Sequence, residues 1–77
     1  MLKLIEDYSP SIEELQKLVG GYIEVHTLRN RDSLVMNEER LIQNLTINTE
    51  ATKLFKNNGG ISQICGFAVH VKAGLLK

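Results

Sequence analysis

A chain of 77 residues forms one domain, 1–77, which buries only about 60–65% of the surface its unfolded form exposes. Self-association is therefore a natural supplement to a small core. Nine basic residues balance nine acidic ones, so no overall field draws the chain onto a nucleic-acid polymer or a membrane, and neither is expected as a partner. The single cysteine, Cys65, excludes an internal disulfide and fits a reducing compartment. The start is no signal peptide, because Glu6 and Asp7 interrupt its apolar run, and nothing approaches the roughly 18 apolar residues of a spanning helix. A cytoplasmic location is expected.

In chain order, Met1 to Glu6 alternates like a short edge strand. Tyr8-Ser9-Pro10-Ser11 punctuates, with Pro10 suited to a first helical turn and Ser11 and Glu14 at capping-box spacing. Ile12, Leu15, Leu18 and Val19 then make one apolar helical face. Gly20 suits the left-handed residue that ends a helix, and Gly21 frees the chain to reverse.

From Tyr22 to Leu28 a strand is expected, with Ile23, Val25 and Thr27 on one side and Tyr22, Glu24, His26 and Leu28 on the other. Residues 29–33 are a polar connection of hairpin length, after which Leu34-Val35-Met36 is again extended. Asn37-Glu38-Glu39-Arg40 reads as a turn, and Leu41-Ile42 as a further short strand. Thr49 is the expected cap of a short helix through Lys56 that buries Ala51, Leu54 and Phe55. Asn57-Asn58-Gly59-Gly60 is the strongest breaker in the chain. Ile61 to Lys72 reads as a strand, Phe67, Val69 and Val71 opposing Ala68, His70 and Lys72, with Gly66 marking a bulge or a close backbone approach. The expected class is α+β: a small, mainly antiparallel sheet with one or two helices packed on one face, the other face wet or used to associate.

Chemistry-bearing patterns are sparse. Cys65 and His70 are five apart, pointing to opposite faces of a regular strand, and no paired zinc-ligand spacing exists, so no metal and no cofactor are expected. Glu24 and His26 share a strand face as an acid–base pair would. No nucleophile or oxyanion donor stands at recognisable spacing beside them, so no enzymatic activity and no catalytic residue is expected. Neither Gly20-Gly21 nor Gly59-Gly60 matches a phosphate-loop fingerprint, and helix termination is the plainer reading of the first pair. Tyr22, His26, Arg29, Arg31 and Arg40, with Lys72 outside the main set, would form a basic, partly aromatic surface for an anion. The plainer reading of arginines beside a hairpin turn is solubility.

The block Glu14-Leu15-Gln16-Lys17-Leu18-Val19-Gly20-Gly21-Tyr22-Ile23-Glu24 resembles the core of a small phage- and mobile-element-associated family of unknown function. Asn37-Glu38-Glu39, Asn48 with Ala51-Thr52, and Ile64-Cys65-Gly66 before an apolar strand follow in the family's order. The stretch before the helix is shorter than usual, and Arg40 and Gln43-Asn44 stand where relatives often carry a glycine-bearing turn. The resemblance implies a viral accessory protein acting in a bacterial cytoplasm. With it comes the expected function: a non-enzymatic, oligomeric anti-defence protein that sequesters a small anionic ligand, a cyclic nucleotide immune signal being the specific version. The alternatives are a protein-binding module that blocks a host or phage enzyme, and a small hydrolase using Glu24 and His26.

Overall fold

The computed structural model describes residues 1–39 and 45–76. The expected strand at Leu41-Ile42 and the site residue Arg40 lie outside them. The elements are β1 (Leu2–Ile5), α1 (Ile12–Val19), β2 (Ile23–Thr27), β3 (Ser33–Asn37), α2 (Thr49–Asn57) and β4 (Ala68–Val71). The sheet order is β1-β4-β3-β2. β2–β3 and β3–β4 pair antiparallel and β1–β4 parallel, so the sheet is mixed and mostly antiparallel, within an α+β fold.

Local chemistry sets the ends of α1. The Ser11 hydroxyl accepts from Glu14 N–H at 3.1 Å, and Gly20 closes the helix at φ 79°, donating its N–H to the Gln16 carbonyl. The Glu14 carboxylate accepts from the Tyr8 hydroxyl at 2.5 Å, which ties the loop before the helix to its first turn. That bond, ahead of partial burial and the Glu14 and Asp7 charges, holds the Tyr8 phenol above its ordinary pKa. Pro10 precedes the cap and stands just outside the helix.

Strand alternation divides the interior into two cores. Ile5, Val35, Val69 and Val71 meet Leu15 and Val19 of α1 on one face. Leu34, Met36 and Ala68 meet Ala51 and Phe55 of α2, with Leu28 and Ile64, on the other. The two helices therefore cover opposite faces rather than one, with α2 over the middle of its face and Leu4 and Tyr22 left exposed towards the sheet edges. The reason is that β3 is buried on both sides, Leu34 through Asn37 without a break, a pattern only a sheet sandwiched between layers can carry. Burying one such leucine or valine contributes about 1.5–3 kcal/mol.

Two buried asparagines join the layers. Asn48, not Thr49, caps α2: its side-chain oxygen accepts from Ala51 N–H at 3.0 Å, while its amide donates to the Met1 carbonyl at 2.8 Å and the Gly66 carbonyl at 2.9 Å. Asn37 donates to the Val19 carbonyl at 3.2 Å and accepts from Glu39 N–H at 2.7 Å, supplying an otherwise orphaned carbonyl at the end of α1. Gly21 is what lets Asn37 in, since a Cβ there would stand 3.0 Å from its amide nitrogen.

β4 is shorter than the extended run 61–72. Gly66 sits at φ 81° against the Leu45 side chain, and Cys65 pairs only in an isolated bridge with Ile47, so regular strand starts at Ala68.

Candidate functional site

Beyond α2 the chain must turn back sharply over its own helix. Gly59 takes φ 95°, and Gly60 donates its N–H to the Phe55 carbonyl at 2.8 Å. The Gly60 backbone lies directly on the Phe55 ring, so closely that a Cβ at Gly60 would overlap it. Asn57-Asn58-Gly59-Gly60 is thus a breaker for two reasons: a left-handed residue, and a backbone that uses an aromatic ring as its floor.

The same ring meets His26. The two ring centroids are 5.0 Å apart in an edge-to-face arrangement, worth about 0.5–1.5 kcal/mol beyond the buried area. His26 Nε2 lies 2.5 Å from Glu24 Oε2, two residues back on the same face of β2, which fixes the imidazole's orientation. Between β2 and the glycine turn opens a groove of about 360 Å³, lined by His26, Thr27, Phe55, Asn58, Gly59, Gly60, Ile61 and Ser62. Arg29 lies over Gly59 at the rim, its Nε 3.3 Å from where a Cβ would stand. Among the described residues Arg29 makes no ion pair, and no acid lines the groove.

Of the residues expected to bind a ligand, His26 lines the groove and Arg29 stands beside it, against Gly59. Tyr22, 66% exposed, stands at the opposite end of β2. Arg31 occupies the tip of the β2–β3 hairpin at φ 72°, outside the groove lining. That hairpin is closed by the Leu28 N–H bonding to the Asp32 carbonyl at 2.8 Å and by the Asn30 side chain accepting from Asp32 N–H at 3.0 Å. The loop type calls for a left-handed third residue, ordinarily glycine, and here it is an arginine.

A second imidazole–carboxylate pair has no counterpart in the sequence pattern. Asp32 Oδ2 lies 2.7 Å from His70 Nε2 and 3.9 Å from Lys72 Nζ, and Asp32 Oδ1 accepts from Ala73 N–H at 2.9 Å. Burial pushes the Asp32 carboxyl up, but the His70 bond, the Ala73 N–H and the charges of His70 and Lys72 outweigh it and hold the group below its ordinary pKa. Lys72, an outside candidate for the ligand surface, is thereby engaged at this pair, away from the groove. The partners are 38 residues apart, so no local signal could have found them.

The two pairs flank Leu34 on the α2 face, because His26 and His70 both register with Leu34 across β3. Neither imidazole is hydrogen-bonded to a hydroxyl or thiol among the described residues. Cys65 is buried in its bridge, away from solvent. No group of three or more His, Cys, Asp or Glu side chains is placed to hold a metal ion among the described residues. The geometry offers a cation, an oriented imidazole and amide and hydroxyl groups around a small cavity, an arrangement suited to holding an anion.

Residues 3–74 match the domain of unknown function DUF3846. The chain belongs to that family. The match takes in both helices, β2, β3 and β4, β1 from Lys3 onward, and the residues of the groove between β2 and the glycine turn. No curated protein and no solved structure shows significant similarity to the chain. No helix among the described residues is long and apolar enough to cross a membrane.

Proposed function

We propose that this chain is a non-enzymatic binding module that holds a small anionic ligand in the groove between β2 and the Gly59-Gly60 turn. The observation that supports it most is the Arg29 guanidinium laid over a positive-φ glycine at the mouth of a cavity whose lining carries no acid. A guanidinium fork matches two oxygens of a phosphate or carboxylate. Asn58 and Ser62 supply polar contacts, and the His26 ring, its Nε2 held by Glu24, gives a planar group something to lie against.

A ligand with both phosphates and bases uses all of these features. In its specific form the proposal is therefore a cyclic nucleotide, sequestered by a phage accessory protein that blunts an immune signal in the bacterial cytoplasm. Incubation with a panel of cyclic and linear nucleotides, followed by heat release and chromatography, tests it. Recovery of one ligand bound and chemically intact supports sequestration. Every ligand left unbound at micromolar protein overturns the reading, and a ligand returned hydrolysed replaces it with the Glu24–His26 hydrolase.

One observation favours a protein-binding inhibitor as the second reading. Ile61, on the groove rim, is 95% exposed, an apolar contact point that a small anion does not need. Loss of a stoichiometric protein partner on Ile61→Asp, with nucleotide binding absent, would select it.

A further inference from the structure

β2 is an edge strand with its outer side bare among the described residues. The hairpin bonds say which groups face outward. Tyr22 and Leu28 bond to Glu38 and Asp32 across the β2–β3 ladder, so the even-numbered residues of β2 turn their backbone groups inward. The N–H and C=O of Ile23, Val25 and Thr27 therefore point away from the sheet. Edge strands are ordinarily protected by charged side chains, a proline, a bulge or a covering element. β2 carries one such charge, Glu24, and among the described residues no lysine, proline, bulge or covering element stands over its five regularly paired residues, whereas the opposite edge, β1, carries Lys3 and runs into Glu6 and Asp7.

We propose that β2 pairs antiparallel with β2 of a second copy of this chain, about a two-fold axis at Val25. That register is self-complementary in three ways. Val25 meets the second copy's Val25 as a hydrogen-bonded pair, and Ile23 meets Thr27, so all the outward backbone groups find partners. Glu24 comes opposite the second copy's His26, and His26 opposite its Glu24, in the pairs whose side chains approach most closely. The 42% exposed Val25 becomes covered, along with its neighbours on the α1 side. Shifting the register by one residue sets Glu24 or His26 against its like, or turns inward groups outward.

The pairing also changes the groove. A two-fold perpendicular to the sheet keeps faces together, so the second copy's Tyr22 arrives on the α2 side, opposite Leu28 and diagonal to His26. Diagonal neighbours lie about 7–8 Å apart, within reach of an aromatic side chain. Tyr22, which a single chain leaves at the wrong end of the strand, thus joins His26 and Arg29 around one cavity. This last consequence rests on the anion-binding reading of the groove; the pairing itself does not.

Sedimentation equilibrium of the intact chain tests it, with Val25→Lys as the disrupting variant and Leu4→Lys on the opposite edge as its control. The expected mass is twice 8.7 kDa for the chain itself and for Leu4→Lys, and the single-chain value for Val25→Lys with an unchanged circular dichroism spectrum. Independently, Val25→Cys in a Cys65→Ala background is expected to form a disulfide-linked dimer on oxidation, since paired Cα atoms at the axis would be about 5.5 Å apart. A single-chain mass at high micromolar concentration, a dimer that survives Val25→Lys, or no cross-link overturns the proposal. The first result leaves the edge to a strand of a different protein. A dimer that binds no anion defeats the groove reading alone, and a monomer that binds one defeats the pairing alone.

Discussion

Gly60 rests its backbone on the face of Phe55, and that contact joins the end of α2 to the imidazole of His26 on β2. Through it, a turn that reads in sequence as a mere helix stop becomes one wall of a groove. Gly60→Ala forces the ring to move, and the ring also packs against His26. Such overpacking costs about 1–3 kcal/mol. The expected outcome is a lower urea midpoint with unchanged m-value, together with weaker anion binding. Gly20→Ala, where nothing stands within 4 Å, is the control. It loses only the about 1 kcal/mol that a left-handed alanine costs and leaves binding intact.

Asn48 is the residue whose loss should hurt most for its size. Asn48→Ala removes the cap of α2 and takes the side-chain donor from the Gly66 carbonyl, while the Met1 carbonyl keeps the Ala68 N–H. The cap alone is worth about 1 kcal/mol, and a stranded buried carbonyl about 1–3 kcal/mol. A total near 3 kcal/mol is expected by chemical denaturation, against about 1 kcal/mol for Ser11→Ala at the exposed cap of α1. Asn48→Asp keeps the cap acceptor yet sets a carboxylate against two carbonyls, so it should not rescue stability.

These caps show what was legible in the chain. Ser11, Gly20 and the alternation of β2 are decided within a few residues, and the expected helix, its stop and the shared face of Glu24 and His26 all match. The cap of α2 was displaced by one residue because Asn48 and Thr49 are both good caps. What selects Asn48 is its pair of carbonyl acceptors, both remote in sequence. The reach of β4 was overestimated for a similar reason: Gly66 bends away to meet Leu45, a contact no local pattern announces. The placement of α2 on its own face depends on β3 being apolar on both sides, a run of only three residues, Leu34 to Met36, that reads equally well as a strand in either setting. For the site, Arg29 and His26 were named from composition and position, while the groove that unites them depends on Gly60 and Phe55.

Acid should weaken the fold through Asp32. Its carboxyl is held below its ordinary pKa in the native state, so it contributes stability above the unfolded value of about 3.9, and that contribution is lost as pH falls through the lower, native value. The stability of the chain relative to Asp32→Asn is expected to be flat above about pH 5 and to shrink below about pH 4, read from urea midpoints across the series. A difference independent of pH down to the acid limit would show that the Asp32–His70 contact contributes only packing.

Arg31 holds a left-handed backbone that suits glycine, at a cost of about 1 kcal/mol. Arg31→Gly is expected to raise the thermal midpoint by a few degrees. Because Arg31 lies outside the groove lining, it should weaken anion binding less than Arg29→Ala does, as read by titration calorimetry of both variants with the same ligand.

The most direct measurement is calorimetric titration of the chain and of Arg29→Ala with the nucleotide panel at two salt concentrations. The account predicts a saturable complex with at least one anionic member, weakened about tenfold or more in Arg29→Ala, since a charge-assisted bond of about 1.5–3 kcal/mol is lost. It also predicts weaker binding at the higher salt. Binding that Arg29→Ala leaves unchanged, or no heat with any member of the panel, would contradict it.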